Sequence, residues 1–332
     1  MKKKIVFSGI QPSGKLTIGN YIGVIKQWVK MQNKYNCIFS IADLHSITTY
    51  KNNFDLNNNI LDTLSLYLAC GINPNKSIIF IQSHIYEHTQ LSWILNCYTN
   101  YGELNRMIQF KKKIINNSKN INTGILFYPI LMASDILLYN TSYVPVGLDQ
   151  KQHIELCRNI ANKFNNIYGN TFNIPKPCIL KNGNRIMSLQ ETNKKMSKSD
   201  KNLNNIIYLL EKKKDVFKKI KLIKTDSKKK YKIKYNNNLG LLNILNILSG
   251  LTGKKINKFK NHFNNKIYSD FKNEASNIIT IFLEKIQENY YNIRKKKSFL
   301  KDILNYGKIK AKKIAKKNLF KIIKKVGLKF KI

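Results

Sequence analysis

The sequence is poor in cysteine, and the few cysteines present are spaced in a way that excludes several classes of protein. The five cysteines are odd in number, widely separated and never arranged as Cys-x-x-Cys. This pattern argues against a disulfide framework, a zinc site and an iron–sulfur cluster. Cys37 and Cys70 have apolar neighbours in the sequence and are typical of small core residues in a reducing compartment.

The sequence also lacks any apolar run of transmembrane length. After the basic start, the first apolar stretch ends at Phe7, which is too short for the core of a signal peptide. We therefore expect a cytoplasmic protein that does not interact with a membrane.

Acidic residues are scarce: 18 Asp and Glu face 59 Lys and Arg, which gives a formal net charge of +41. A charge of this sign and size is typical of proteins that bind polyanions such as nucleic acid. The sequence is also rich in Asn and Ile, and A/T-rich codons encode both of them as well as Lys. Genomic base composition therefore explains much of the charge equally well, and charge alone leaves both explanations open.

The alternation of short apolar runs with helical patterns predicts an α/β fold, a Rossmann-like parallel sheet covered by crossover helices. The predicted strands are residues 4–7, 37–43, 77–82 and 143–147, and an Asn-Gly pair predicts a hairpin turn at 181–184. Lysine-rich helical patterns follow from about residue 203. We expect a catalytic domain at 1–203, an all-helical domain at 204–295 and a basic helical segment at 296–332 that packs against the rest of the chain.

The segment FSGIQPSGKLTIGNYIG, residues 7–23, has the composition of a nucleotide-binding strand, loop and helix. Its glycines let the backbone approach a ligand closely, and a helix that starts near Gly19 and Asn20 offers unpaired N–H groups to phosphate. A plain turn explains the glycines alone equally well.

A second motif, KMSKS, occupies residues 195–199 in a polar stretch after the predicted hairpin. Two lysines separated by small polar residues can close over a triphosphate and neutralise the charge that grows on departing pyrophosphate. The alternative is a solvated surface loop, which the complete five-residue match disfavours.

A third segment, YPILMASDILLYN, carries one acid in an apolar helix that we predict to begin near Pro129. Tyr128, Met132 and Asp135 follow the spacing i, i+4 and i+7 and so share one helix face. A carboxylate in apolar surroundings is costly without a partner, and the donor-only indole N–H is a suitable one. The segment predicts a pocket wall, whereas the alternative is an acid on the helix surface.

Two further segments place polar residues after predicted strands. In VPVGLDQKQHIEL, residues 144–156, a strand gives way to a helix around Asp149, which could also be a simple N-cap. In ADLHSIT, residues 42–48, His45 follows the second strand, although a lone histidine is usually structural.

Together these segments resemble the tryptophanyl-tRNA synthetases, a group of class I aminoacyl-tRNA synthetases. TIGN looks like the HIGH signature of that class with Thr17 and Asn20 in place of the histidines, and GIQPSG, KMSKS and VPVG-x-DQKQH-x-EL are similar to the tryptophanyl group. The resemblance runs from about residue 4 to 199 and continues loosely through the helical region. Many relatives have Glu at the position of Leu148, so only a backbone contact carries over there.

The resemblance implies an enzyme that uses ATP, with Mg²⁺, to convert L-tryptophan into an adenylate and then transfers it to tRNA(Trp). It implies no metal site built by the protein, and the stretch between Gln82 and Thr123 is too short for an editing domain. The implied catalytic residues are Gln11, Asn20, Lys195 and Lys198. The implied ATP contacts are Gln11, Pro12, Ser13, Thr17, Gly19, Asn20, Gly147, Leu148, Asp149, Ile186, Lys195, Met196, Ser197, Lys198 and Ser199. The implied tryptophan contacts are Phe7, His45, Tyr128, Met132, Asp135 and Gln150.

By the same resemblance, Gln109 and Lys111 face the ATP phosphates, and the enzyme is a homodimer. A candidate dimer contact is the apolar helix that contains Leu91, Trp93, Ile94, Leu95 and Tyr98, although ordinary core burial explains these residues equally well.

Three alternatives stay open at this point. They are a tyrosyl-tRNA synthetase, a nucleotidyltransferase of the same fold, and a non-catalytic paralogue that binds RNA or senses tryptophan. GIQPSG, Asp135 and VGLDQKQH favour tryptophan as the substrate, and the intact TIGN and KMSKS motifs favour an enzyme.

Overall fold

The structure, a computed structural model, has a parallel β-sheet at its centre and describes residues 3–13, 15–48, 55–116, 122–179, 185–198, 200–223, 238–264 and 266–328. The strands are β1 (Ile5–Ile10), β2 (Asn36–Ile41), β3 (Ser77–Ile81), β4 (Tyr143–Val146) and β5 (Lys176–Ile179). They form one sheet in the order β3-β2-β1-β4-β5, and every pairing is parallel. Sheets of this type are buried on both faces, which is why β1, β2 and β3 have near-continuous apolar sequences. The predicted parallel sheet is confirmed.

Helices connect the strands and cover both faces of the sheet. In chain order they are α1 (Ile18–Asn20), a π-helical turn (Tyr21–Ile25), α2 (Lys26–Met31), α3 (Asp43–Ser46), α4 (Leu56–Ala69), α5 (Glu87–Asn96), α6 (Tyr101–Asn105), α7 (Ile108–Asn116), α8 (Thr123–Leu137) and α9 (Lys151–Tyr168). The predicted hairpin turn at 181–184 lies outside the described residues.

The prediction that the helix of the third segment begins near Pro129 was wrong, because α8 begins six residues earlier, at Thr123. Proline is common in the first helical turn, but here it is not in the first turn. Instead, Asn122 caps the helix by accepting a hydrogen bond from the backbone N–H of Ile125 (3.1 Å), and Pro129 lies inside the helix. A capping side chain upstream therefore determined where the helix starts.

The second part of the chain is helical. It contains α10 (Lys213–Lys221), α11 (Leu239–Thr252), α12 (Ile256–His262), α13 (Tyr268–Arg294) and α14 (Lys297–Lys325). Ile22 of the π-helical turn, Leu248 of α11 and Leu283 of α13 belong to one buried apolar cluster. Residues on both sides of position 203 thus share one core. The domain boundaries at 203 and 295 stay predictions. Among the described helices, none is both long enough and apolar enough to cross a bilayer.

The long C-terminal helix α14 packs along the sheet and joins its two apolar cores. Leu300 and Leu304 pack in one core, and Ala311 and Leu319 pack in the other. Between them lies Gly307, where an added Cβ would stand 1.7 Å from the carbonyl oxygen of Ile79 in the edge strand β3. Helix and strand can approach this closely only because position 307 has no side chain.

We predict that Gly307→Ala lowers the free energy of unfolding by about 3 kcal/mol, the upper end of the usual cost of overpacking, since the neighbouring atoms are backbone and cannot rotate away. Chemical denaturation of both proteins measures the change. Gly23→Ala is the matched control, because a Cβ there meets no atom within 4 Å. Equal stability of the two variants would contradict the packing described for α14.

Candidate active site

The strand order creates the opening in which the candidate site lies. β1 pairs with β2 on one side and with β4 on the other, so the crossover connections leave β1 and β4 in opposite directions. Ligands of open α/β sheets bind at such a switch point, at the carboxyl ends of the strands. Gln11, Pro12 and Ser13 follow β1 at this edge, and Gly147 and Asp149 follow β4.

The TIGN motif forms a capped helix start. The backbone N–H of Asn20 donates to Thr17 Oγ1 (3.2 Å), and the backbone N–H of Thr17 donates to Asn20 Oδ1 (3.0 Å). The two residues at the histidine positions of the HIGH signature therefore hold each other in a capping box. A Cβ added at Gly19 would lie 3.7 Å from Ile186 Cβ and 3.8 Å from Met196 Cβ, so the helix start is close to the KMSKS segment.

The two lysines of KMSKS contact the loops that follow β4 and β1. Lys195 Nζ lies 2.7 Å from Asp149 Oδ1, and Lys198 Nζ donates to the carbonyl oxygen of Gln11 (3.0 Å). Burial by itself would raise the pKa of Asp149, but the hydrogen bond and charge of Lys195 outweigh it and lower that pKa. The lysines thus hold together the loops that end β1 and β4.

The other predicted ATP contacts lie near these lysines. Met196 is buried, and its N–H donates to the carbonyl oxygen of Ile186 (3.0 Å), whereas Ser197 is exposed. Leu148 is also exposed, and its contact with ATP stays a prediction. Ser199 lies outside the described residues.

The carboxylate of Asp135 is buried and has three side-chain partners. Its oxygens lie 2.9 Å from His45 Nε2 and 2.6 Å from His88 Nδ1. Gln82 Nε2 donates to both oxygens, at 2.9 and 2.8 Å. Burial would raise the pKa of Asp135, but the charge of His88 and the hydrogen bonds from both histidines lower it to about 2. Asp135 is thus neither a surface acid nor an acid without protein partners.

A path of contacts joins Asp135 to the lysine-bearing loop. The Tyr128 hydroxyl lies 2.8 Å from His153 Nε2 and 3.2 Å from Gln109 Oε1, and Gln109 Nε2 donates to the carbonyl oxygen of Asp149 (3.2 Å). At the other end, the Tyr128 ring meets the ring of His45 edge-on, with centroids 6.4 Å apart. The structure therefore brings the two groups of predicted residues into one continuous region.

The remaining predicted tryptophan contacts lie at the borders of this region. Phe7 of β1 is buried and stacks on Tyr139 with ring centroids 5.4 Å apart. Met132 is half-buried on α8, and Gln150 Nε2 donates to Asp149 Oδ2 (3.2 Å). Lys111 is exposed on α7. Their contacts with a ligand stay predictions.

The sequence interpretation missed His88, Gln82 and Tyr139. His88 is fully buried, and its Nε2 lies 2.9 Å from the Tyr139 hydroxyl, so it connects that residue to Asp135. Gln82 carried a usable signal, because it is a polar residue at the carboxyl end of a buried strand. His88 is the second residue of α5, in a different part of the sequence from Asp135, and carried no such signal.

Within the described part of the chain, no group of three or more His, Cys, Asp and Glu side chains is arranged to hold a metal ion.

Comparison with known proteins gives a consistent result. The family model described as "tRNA synthetases class I (W and Y)" matches residues 1–284. Two similar curated proteins are tryptophan–tRNA ligases from Buchnera aphidicola. The one from the Schizaphis graminum subspecies is 55% identical, over 98% of each chain. The one from the Acyrthosiphon pisum subspecies is 51% identical, over 99% of this chain and 98% of the relative.

Two solved structures are also similar over nearly the whole chain. The tryptophanyl-tRNA synthetase from Mycoplasma pneumoniae has a TM-score of 0.90 at 37% identity and 99% coverage of both chains. The enzyme from Campylobacter jejuni, solved in complex with ADP and tryptophan, has a TM-score of 0.83 at 35% identity, with 97% of this chain and 99% of that chain covered.

Proposed function

This chain belongs to the class I tRNA synthetases for tryptophan and tyrosine, and from that membership we propose how its site performs tryptophan–tRNA ligation. It is an ATP-dependent ligase that activates L-tryptophan and attaches it to tRNA(Trp), as are relatives that share 55% and 51% of its sequence over almost its full length. The observation that carries the mechanism is the contact path from Lys195 through Asp149, Gln109 and Tyr128 to the region of Asp135.

The first reaction is attack of the tryptophan carboxylate on the α-phosphorus of ATP. A new oxygen–phosphorus bond forms, the bond to the bridging oxygen breaks, and pyrophosphate leaves with its electron pair. The α-carboxyl group is ionised at neutral pH, so no general base is needed. Catalysis therefore consists of positioning and charge neutralisation.

ATP would lie across the switch point between β1 and β4. Gln11, Ser13 and the capped helix start at Thr17 and Asn20 would position the phosphates, since N–H groups at a helix start favour anions. Asp149 would bind the ribose hydroxyls. Gly147 lies two residues earlier, and a Cβ there would stand 2.6 Å from Asp149 Oδ1, so the lack of a side chain at 147 makes room for that carboxylate.

Lys195 and Lys198 would stabilise the charge that develops on the α-phosphate and on departing pyrophosphate. Both ammonium groups now contact oxygen atoms of this chain, and phosphate oxygens would replace those contacts. Mg²⁺ would accompany ATP, held mainly by phosphate oxygens and water, as is usual for this ion.

We predict that Lys195→Ala lowers kcat of tryptophan-dependent ATP–pyrophosphate exchange by about 10²- to 10³-fold, because a donor to the transition-state charge is lost. Lys194→Ala is the matched control, since the Lys194 ammonium pairs with Glu191 and not with Asp149. Similar rates for the two variants would reject the role given to Lys195.

Asp135 would recognise the indole ring by accepting a hydrogen bond from its N–H group. His45 and Gln82 share one carboxylate oxygen, so we expect the indole N–H to replace one of them there. The phenylalanine ring has no hydrogen-bond donor, so its binding would leave the buried Asp135 carboxylate without that hydrogen bond. Discrimination of this type reaches about 10⁴ to 10⁵ in a site built for a hydrogen bond, so proofreading would be unnecessary.

We predict that Asp135→Ala keeps ATP binding but lowers kcat/KM for tryptophan in the exchange assay by about 10- to 100-fold, the value of a charge-assisted hydrogen bond. Asp270→Ala, which removes an exposed acid on α13, is the control. Near-normal exchange by the Asp135 variant would refute the assignment, and faster exchange with tyrosine than with tryptophan would favour the tyrosine branch of the family.

The second reaction, in the cytoplasm, would transfer tryptophan to the terminal ribose of tRNA(Trp), at its 2′-hydroxyl. The 59 basic residues outnumber the 18 acidic ones. This imbalance supports association with the phosphate backbone of the tRNA, which would depend on salt concentration.

We further propose a homodimer whose contact uses only the exposed part of the candidate helix. Leu91, Ile94 and Leu95 are buried in the core of their own chain, so they are not available to a partner. Trp93 on α5 is 72% exposed, and Tyr101 at the start of α6 is 67% exposed. Exposed aromatic residues of this size are typical of interfaces.

We predict that light scattering gives twice the monomer mass, and that Trp93→Glu shifts the mass toward the monomer. Ile281→Glu, at a 67% exposed position on α13, should leave the mass unchanged. A monomeric parent protein would refute the dimer.

A further inference from the structure

Asn243 of α11 binds both backbone groups of a single residue, Met187. Its Oδ1 accepts from the Met187 N–H (2.9 Å), and its Nδ2 donates to the Met187 carbonyl oxygen (2.8 Å). The side chain is buried, with 2% of the residue exposed, and it lies 56 positions from Met187 in the sequence. The Asn243 amide thus forms hydrogen bonds with both backbone groups of Met187, as the backbone of a neighbouring β-strand would.

Met187 belongs to the segment 186–188, which pairs with the start of the KMSKS loop. Met187 and Lys195 form an antiparallel bridge, the Ser188 N–H donates to the carbonyl oxygen of Lys194 (2.8 Å), and the Met196 N–H donates to that of Ile186 (3.0 Å). The segment 186–188 therefore has the lysine-bearing loop on one side and Asn243 on the other.

The same helix also contacts the other half of the nucleotide site. Lys26 of α2 donates to the carbonyl oxygen of Gly250. A Cβ at Gly250 would stand 2.6 Å from the side chain of Ile22, which lies in the turn that follows TIGN. Helix α11 thus contacts both the turn that follows TIGN and the segment 186–188 beside the lysine-bearing loop.

We propose that Asn243 is a positioning residue for adenylate formation: it fixes the segment 186–188 on α11 and thereby sets where Lys195 and Lys198 stand relative to the TIGN helix. This inference rests on the proposed function. Without the amide, the N–H and the carbonyl oxygen of the half-buried Met187 lose their partner, and the segment must shift to recover one. A shift of about 1 Å at a catalytic group can cost about 100-fold in rate.

The test compares Asn243→Ala and Asn243→Asp with Asn238→Ala. Asn238 caps the same helix by accepting from the Leu241 N–H (3.1 Å), so its removal weakens α11 without touching Met187. Asp at 243 keeps the size of the side chain and an acceptor for the Met187 N–H but offers no donor to its carbonyl oxygen. It remains informative if the Ala variant does not fold.

For both Asn243 variants we expect kcat of tryptophan-dependent exchange to fall by about 10- to 100-fold. KM for tryptophan should be unchanged, because the partners of Asp135 come from other elements. Hydrogen exchange of the Met187 amide should accelerate. Asn238→Ala should keep its kcat and its protection at Met187.

A wild-type kcat in the Asn243 variants, or an equal loss in Asn238→Ala, would overturn the proposal. If the parent protein shows no exchange activity, the proposed function fails instead. Unchanged protection of Met187 in the Asn243 variants would then refute the contact independently.

Discussion

The pairing of β1 with β4 is the contact on which the candidate site depends. Val6 and Tyr143 are in register, and the buried Ser8 hydroxyl donates to the carbonyl oxygen of Pro145 (3.3 Å). These two strands are distant in sequence, yet their carboxyl ends open side by side, so one ligand can meet both loops. Lys195 contacts the loop after β4 and Lys198 contacts the loop after β1, which makes the lysine loop a third side of the same site.

Much of this arrangement could be predicted from the sequence, because local chemistry determines it. The apolar runs of β1, β2 and β3 have the pattern of a buried parallel sheet, and Thr17 and Asn20 carry the composition of a capped helix start. Most contacts between distant segments left no such signal. Gln82 could be expected at the site because it follows a buried strand, but nothing in the sequence indicates that His88 will hold the Asp135 carboxylate, and nothing near KMSKS indicates Asn243. α8 begins earlier than predicted because the Asn122 side chain caps it, and Pro129 is accommodated inside the helix.

The two ends of the site differ in how their charges are held. Asp135 is surrounded by protein, and its low pKa keeps the carboxylate ionised at any physiological pH, so it presents a fixed acceptor. Lys195 and Asp149 are each about half exposed, and an exposed pair of this kind contributes little to stability. It can therefore separate at small cost. A rigid end suits recognition of a ring, whereas an exchangeable end suits a nucleotide whose charge distribution changes during the reaction.

The close approach of Gly307 to Ile79 has a consequence for how the chain reaches its folded state. β3 is an edge strand, and an open edge can pair with other chains. The helix that lies against it, α14, is made only after every strand of the sheet has left the ribosome. Until then, newly synthesised molecules expose that edge, and association between nascent chains competes with the docking of α14.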